Sequence, residues 1–196
     1  MSVVGAPGEL WLVRHGETEW TATGQHTSRT DVPLSATGRE QATSVGGVLA
    51  GRPFATVLSS PLSRSVETCR LAGYGDRVET DDDLKEWDYG EYEGRTTAEI
   101  RAERPGWTVW AGSPGGEPLD RVAGRARRVI DRATEAGGDA ALFSHGHFLR
   151  ILGATWMGLP PDGGRLLSLG TASLSILGYE RETRVIRQWN RSSEVG

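Results

Sequence analysis

Short, wholly apolar runs alternate along this chain with longer segments in which apolar residues have a helical spacing. The runs within residues 9–14, 55–58 and 140–143 have the length and character of buried strands. The clearest helical stripe lies in residues 117–136, where apolar residues recur at steps of three and four. Strands that are apolar on both faces are typical of parallel sheets covered by helices. The pattern therefore predicts an α/β fold with a mostly parallel sheet.

The remaining segments are less regular, but most carry a start or stop signal. Ser35 is a predicted N-cap, and Ser60 followed by Pro61 predicts a second helix start. Further helices are expected over 96–104 and after Gly146, and β-like runs over 165–169, 173–178 and 184–189. The last two runs are expected to pair as a hairpin. Residues 15–34 and 81–94 are predicted to be long functional loops without a regular element.

The length and composition set limits on the class of protein. With 196 residues, 37% hydrophobic and 24% charged, the chain suits a single domain over 1–196 with a core from about 9 to 190. We expect loose ends at 1–8 and 191–196. The net charge of −4 argues against a nucleic-acid partner, so any anion site must be built locally from a few arginines.

The chain shows no sign of a membrane or an oxidising compartment. No run approaches the roughly 20 apolar residues that span a bilayer, and residues 1–9 lack the features of a signal peptide. Cys69 is the single cysteine, so an internal disulfide is excluded, and we expect it to be a small buried residue. These observations favour a cytoplasmic protein.

Phosphate-competent side chains follow the ends of three predicted strands. Arg14 and His15 follow the first, Arg64 lies at the start of the helix after the second, and His145 follows 140–143. Ligands of open α/β sheets bind beyond the carboxyl ends of the strands. Two guanidinium groups can hold phosphoryl oxygens, and a neutral imidazole can attack phosphorus. Gly16 is expected to let the backbone approach the ligand closely.

A leaving alkoxide also needs a proton, and the acidic loop 81–94 supplies candidates. These are Glu86, Asp88, Glu91 and Glu93. A metal site built from His15, His145 and His147 is the less favoured interpretation, because the neighbouring arginines would repel a cation. The residues alone therefore predict a site for a dianionic phosphoryl group.

Five segments together resemble the histidine phosphatase superfamily, in its phosphoglycerate-mutase-like branch. They are LVRHGETEW (12–20), DVPLSATGREQA (31–42), SSPLSRSVET (59–68), LKEWDYGEYEG (84–94) and SHGHFLR (144–150). The resemblance implies a three-layer α/β/α sandwich and an enzyme that needs neither metal nor cofactor. It implies that His15 becomes phosphorylated and that Glu86 donates the proton. The residues expected to contact the phosphorylated substrate are Arg14, Thr21, Thr27, Arg64, His145 and Gly146.

Departures from the mutase pattern favour a phosphatase. Gln25 stands where mutases often carry an arginine, and the segment between Glu86 and His145 is short. We therefore expect a phosphomonoesterase that hydrolyses its substrate through a phosphohistidine. A cofactor-dependent phosphoglycerate mutase and a non-catalytic phospho-ligand sensor are the alternatives. The substrate and a homodimer are left undecided.

Other notable side chains have simpler interpretations. His147 is expected to be structural, and His26 to be a solvated loop residue. Trp107 and Trp110 could form a hydrophobic lid, although packing is the simpler expectation. Four arginines of the 117–136 helix lie largely off its apolar stripe and are expected on a plain solvated face: Arg121, Arg125, Arg128 and Arg132.

Overall fold

A computed structural model describes residues 8–192 of the chain, and its centre is one six-stranded sheet. The strands are β1 (Leu10–Arg14), β2 (Thr56–Ser59), β3 (Val78–Thr80), β4 (Ala140–Ser144), β5 (Leu174–Glu180) and β6 (Thr183–Arg191). Their order across the sheet is β3-β2-β4-β1-β5-β6. The pairs among β1 to β4 are parallel, whereas β5 runs antiparallel to both β1 and β6. The predicted mostly parallel sheet and C-terminal hairpin are confirmed.

Six α-helices accompany the sheet in the part of the chain that the structure describes. They are α1 (Glu19–Thr23), α2 (Ala36–Leu49), α3 (Ser63–Cys69), α4 (Thr97–Glu103), α5 (Leu119–Glu135) and α6 (Gly146–Trp156). A π-helical turn, Arg70–Tyr74, continues α3, and 3₁₀ turns cover Gly75–Arg77, Asp82–Leu84, Gly90–Tyr92, Val109–Ala111 and Pro161–Leu166. None of the described helices combines the length and apolar character needed to cross a membrane.

The two faces of the sheet bury two separate cores, which confirms the three-layer sandwich. Alternate residues of β1 point to opposite sides, so Leu10 and Leu12 join the core that packs on α5 and α6. Trp11 and Val13 join the core that packs on α2 and α3. Both sets are buried because the central strands β1 and β4 are covered on each face. This explains why their sequences are apolar throughout rather than alternating.

Several predicted helices are confirmed close to their expected bounds. Ser35 caps α2 by accepting a hydrogen bond from the Gly38 amide at 3.0 Å. Thr96 begins α4 with a capping box completed by Glu99. The apolar stripe of 117–136 forms α5 and is buried against the sheet. These elements were predictable because their signals are local: a capping side chain, or the spacing of apolar residues.

Other boundaries were wrong. The 165–169 run is not a strand: it lies in the 3₁₀ turn Pro161–Leu166 and the irregular chain after it, with Leu166 75% exposed. Strand β5 lies between β1 and β6, so it has no free edge on which this run could pair. The helix predicted from Ser60 begins only at Ser63, capped by the backbone of Leu62.

Two short elements and the end of one strand were not predicted from the sequence. Helix α1 lies inside the predicted loop 15–34, and β3 is a three-residue edge strand that carries the polar Glu79. Strand β6 continues to Arg191, into the predicted loose C-terminal end. Residues 1–7 and 193–196 lie outside the described residues. Most of the loose N-terminal end, and most of the segment predicted not to be a signal peptide, fall in residues 1–7.

Candidate active site

The strand order brings the predicted phosphate-binding residues to one edge of the sheet. Strand β4 lies between β2 and β1, and in register Arg14 pairs with Ser144 and Ser59 with Phe143. The amide of His15 donates to the Ser144 carbonyl at 3.0 Å, so residue 15 lies beside the start of α6. The imidazole rings of His15 and His145 are consequently 5.1 Å apart, edge to face. The predicted convergence of strand ends is therefore present.

A cavity of about 180 Å³ lies at this edge. Its walls include five of the predicted residues together with Glu86, and several that were not expected. The full lining is Arg14, His15, Thr21, Gly24, Gln25, His26, Thr27, Glu86, Tyr89, Gly146, His147, Arg150 and Leu169. Arg64 and His145 are fully buried beside it rather than part of its accessible wall.

The protonation state of His15 is set by one hydrogen bond and by its charged neighbours. Nδ1 lies 2.7 Å from the Gly16 carbonyl oxygen, which can only accept, so Nδ1 carries the proton and Nε2 has the free lone pair. Burial lowers the pKa of His15 well below its ordinary value, and the positive charges of Arg64 and Arg14 lower it further. The imidazole is therefore neutral near pH 7, with a defined nucleophilic nitrogen.

Two buried guanidinium groups supply positive charge to the site. Arg14 Nη1 donates to the Leu169 carbonyl at 2.6 Å. Arg64 donates to the carbonyls of Thr30 and Ser28, each at 3.0 Å. In both side chains Nε is buried and has no hydrogen-bond partner among the described residues. Buried donors without partners are rare in folded proteins, and an anion with several oxygens is the ligand that would satisfy them.

His145 is held by a hydroxyl group from the neighbouring strand end. Its Nε2 lies 2.8 Å from Ser60 Oγ, and its Nδ1 is buried without a described partner. Burial, followed by the charge of Arg64, lowers the pKa of His145 well below its ordinary value. Ser60 is thus engaged with the imidazole instead of serving as the predicted helix cap, which explains why α3 begins later. No feature of the sequence indicated this role of Ser60.

Among residues 8–192, Glu86 is the one acidic side chain that reaches the cavity wall. Oε1 accepts the amides of Trp87 at 2.9 Å and Phe148 at 2.8 Å, and Oε2 accepts the amide of His147 at 3.0 Å. The carboxyl group is therefore fixed at the N-terminus of α6, where backbone amides point outward. Oε2 accepts only one of these bonds and keeps capacity for a proton.

The other acidic candidates have structural contacts instead. Asp88 pairs with Arg29 at 2.9 Å, and Glu91 is exposed. Glu93 Oε1 accepts the amides of Ser28 and Thr30 at 2.8 and 3.0 Å, and so holds the loop whose carbonyls bind Arg64. Glu93 therefore acts on the site only through that loop.

Arg125 was wrongly assigned to a solvated face. Its guanidinium bonds Glu117 at 3.0 and 2.8 Å and the carbonyls of Asp83 and Lys85 at 2.6 and 2.8 Å. Both charged side chains of this pair are nearly buried. The acidic loop 81–94 folds over this part of α5, which a helical projection of the sequence could not show. The exposed Arg121, and Arg128 and Arg132 with their acidic partners on the surface, fit the original expectation.

His26 differs from expectation, whereas the two tryptophans pack, as the simpler expectation had it. His26 lines the cavity and packs against Tyr89 and Trp107, with ring centroids 5.0 and 5.5 Å apart. Trp107 is buried, and its indole donates to the Gly112 carbonyl, so it is a packing residue. Trp110 contacts His147 at 5.8 Å between centroids but is not part of the cavity wall. Neither tryptophan covers the cavity as a lid.

Gly16 lies in close contact with helix α2. A Cβ at this position would lie 2.2 Å from the Gly38 carbonyl oxygen of α2. Gly146 lies against the predicted phosphate site, since a Cβ there would be 3.2 Å from Cζ and Nε of Arg14. Packing against α2 therefore requires glycine at position 16, and the approach of its backbone to a ligand stays a prediction.

The fold and the cavity together define an α/β protein with a histidine–arginine pocket suited to a phosphoryl group. The sequence model of the histidine phosphatase superfamily (branch 1) matches residues 10–192. The chain therefore belongs to this superfamily.

Individual relatives agree with that assignment. An acid phosphatase of Mycobacterium tuberculosis is 41% identical over 180 residues, which cover 89% of this chain and 88% of that protein. A probable phosphoglycerate mutase of Yersinia enterocolitica is 32% identical, with 92% and 89% covered. The solved structure of a functionally characterised open reading frame of M. tuberculosis superposes with a TM-score of 0.90 at 38% identity, covering 95% of this chain and 99% of that one.

Proposed function

We propose that this protein is a phosphomonoesterase that works through a phosphohistidine on His15. The observation that carries the proposal is the neutral His15 imidazole, with Nδ1 bonded to a carbonyl and Nε2 free, beside His145 and two arginines. Similarity to an acid phosphatase supports hydrolysis rather than isomerisation. A small phosphorylated substrate fits the cavity of about 180 Å³.

In the first step Nε2 of His15 attacks phosphorus, and the bond from phosphorus to the ester oxygen breaks. Glu86 gives its proton to that oxygen, so the leaving group departs as an alcohol. Arg14 and Arg64 bind the equatorial oxygens, and His145 stabilises the charge that they share in the transition state. Thr21, Thr27 and Gly146 line the space that the substrate would occupy.

In the second step a water molecule attacks the phosphohistidine. Glu86, now a carboxylate, takes a proton from the water, and the bond from phosphorus to Nε2 breaks to release inorganic phosphate. The backbone amides that fix Glu86 let one group serve as acid and then as base without moving.

We also propose a cytoplasmic location, in keeping with the buried free thiol of Cys69. A homodimer is left undecided.

The experiment follows the phosphoenzyme directly. Rapid quenching with a phosphomonoester should give a protein whose mass has increased by one phosphoryl group, attached to His15 and labile to acid. His15→Ala should abolish both the adduct and turnover while retaining the thermal unfolding temperature. Turnover by a folded His15→Ala variant would refute the proposed nucleophile.

The mutase alternative rests on the similarity to probable phosphoglycerate mutases. It is tested by incubating the wild type with 3-phosphoglycerate, with and without a bisphosphorylated cofactor. We expect released phosphate in both cases. Cofactor-dependent isomerisation that exceeds phosphate release would favour the mutase.

A further inference from the structure

Helix α6 presents a second cationic group to the cavity, one turn beyond the residues assigned to phosphoryl transfer. His147 and Arg150 are separated by three positions, so they lie on the same face of the helix. Both line the same cavity as His15. Neither is needed to bind the transferred phosphoryl group, which Arg14, Arg64 and His145 already surround.

Arg150 is positioned by contacts that leave part of its guanidinium free. Nε donates to the Gly164 carbonyl at 3.1 Å and Nη2 to the Arg165 carbonyl at 3.3 Å. Cζ lies 4.9 Å from the ring centroid of Trp110, which supports the plane of the guanidinium. Nη1 makes no hydrogen bond with the described residues. No carboxylate oxygen of residues 8–192 lies within 4.0 Å of a guanidinium nitrogen of Arg150.

Arg150 makes no ion pair among the described residues, in contrast to several arginines of α5. Arg125, for example, is paired with Glu117, and Arg128 with Asp83. The cavity wall contains two guanidinium groups, Arg14 and Arg150, and only one carboxyl group, Glu86, whose oxygens already accept three backbone amides. Burial lowers the pKa of Arg150 and the charge of Glu86 opposes that effect, but no described carboxylate pairs with Arg150 directly, so its guanidinium is available to an anionic ligand.

His147 adds a hydrogen-bond donor next to this charge. Tyr89 Oη lies 2.7 Å from His147 Nδ1. Burial and the charge of Glu86 raise the pKa of Tyr89 well above its ordinary value, so its hydroxyl keeps its proton, which Glu86 or Nδ1 of His147 can accept. Burial and then Arg150 lower the pKa of His147, so the ring is neutral, and its proton is on Nε2 whenever Tyr89 donates to Nδ1. Nε2 makes no hydrogen bond with the described residues, and His147 lines the cavity.

We propose that Arg150 and His147 form a specificity subsite for a second oxyanion, carried by the leaving group of the substrate. The preferred substrate class is then a small phosphomonoester with a carboxylate or a second phosphate at its far end. A guanidinium edge and an imidazole N–H are suited to two oxygens of such a group. The inference rests on the proposed function for its turnover assays.

Three synthetic phosphomonoesters on one propane skeleton provide the matched probes: 3-phosphooxypropanoate, propane-1,3-diyl bisphosphate and 3-hydroxypropyl phosphate. They differ only in whether the far end is a carboxylate, a phosphate or a neutral hydroxyl group. Neither anionic probe has a free hydroxyl group that could receive the phosphoryl group in a mutase reaction. We expect the wild type to hydrolyse at least one anionic probe with a kcat/KM more than tenfold above that for the neutral probe, and the better of the two identifies the natural oxyanion.

The decisive variant is Arg150→Met, which keeps the length of the side chain but removes its charge. In this variant, the ratio of kcat/KM for the preferred anionic probe to kcat/KM for the neutral probe should fall ten- to hundredfold below the ratio of the wild type. Arg150→Lys should recover part of the lost preference. Arg127→Met is the matched control, because Arg127 is exposed on α5 and away from the cavity. It removes the same net charge and should leave the ratio of the wild type unchanged.

A binding measurement separates failure of this inference from failure of the proposed function. Calorimetric affinities of the same probes for His15→Ala, with and without Arg150→Met, require no turnover. A preference for the anionic probe that Arg150→Met removes supports the subsite even if no probe is hydrolysed. Equal affinities, or a preference that survives Arg150→Met in a folded protein, would overturn the subsite even if hydrolysis is fast.

Discussion

Glu93 should control activity without touching the substrate, because it holds the loop that positions Arg64. Its Oε1 accepts the amides of Ser28 and Thr30, and the carbonyls of the same two residues accept both Nη atoms of Arg64. Glu93→Ala removes two hydrogen bonds to a charged acceptor, each worth about 1.5–3 kcal/mol. Since the loop is partly solvated, we take the lower value and expect a loss of about 3 kcal/mol in the free energy of unfolding.

A loss of this size corresponds to a decrease of roughly 6–12 °C in the unfolding temperature of a chain of this length. A misplaced Arg64 should also reduce kcat/KM by about 100-fold. Glu93→Gln keeps the acceptor oxygen and should recover most of both quantities. Glu91→Ala is the control, because that side chain is exposed on the same segment. Calorimetry and steady-state kinetics measure the two effects, and a Glu93→Ala protein with the kcat/KM of the wild type would refute the coupling.

Three further predictions concern pH and backbone packing. Activity should fall as the pH rises, since Glu86 must be protonated to act, whereas the lowered pKa of His15 keeps it neutral on the acidic side; a flat kcat/KM between about pH 5 and 8 would contradict this. The free energy of unfolding should instead fall as the pH falls. His15, His145 and His147 have lowered pKa values in the folded chain, so below about pH 6.5 the unfolded chain binds protons that the folded chain does not. Each histidine can then lower the free energy of unfolding by up to about 1.4 kcal/mol per pH unit, and urea titrations at pH 7, 6 and 5 would detect the loss. Gly16→Ala should unfold at markedly lower urea because its Cβ meets the Gly38 carbonyl, whereas Gly47→Ala, with nothing within 4 Å, should stabilise α2 by about 0.5–1 kcal/mol.

The features that sequence predicted well depend on local signals or on the geometry of parallel sheets. The cap at Ser35 and the stripe of α5 need only neighbouring residues. His15, Arg64 and His145 could be brought together in advance because the carboxyl ends of parallel strands share one edge. The proximity of these side chains thus followed from the predicted topology.

The features that sequence missed depend on which segment covers which side chain. Arg125 is off the apolar stripe of α5, and only the fold of the acidic loop over it turns an apparently solvated arginine into a buried partner of Glu117. The 165–169 run has the character of a strand, yet β5 is already paired on both sides and Leu166 is exposed. Ser60 has the sequence signature of a helix cap, but its hydroxyl bonds His145 instead. In each case a tertiary partner overrides the local preference.

The arrangement of α6 suggests how one scaffold can change substrate while keeping its chemistry. His145 is the N-cap residue of the helix and is proposed to adjoin the transferred phosphoryl group, and the amides of His147 and Phe148 hold Glu86. Those contacts come from the backbone, so they do not depend on which side chains occupy 147 and 150. Arg150 lies about 4.5 Å further along the helix axis than His147, in the part of the cavity that the proposed mechanism leaves for the leaving group. If that mechanism holds, substitutions at these two side chains alter the leaving group that is accepted, while His15, Glu86 and the residues proposed to bind the phosphoryl group stay in place.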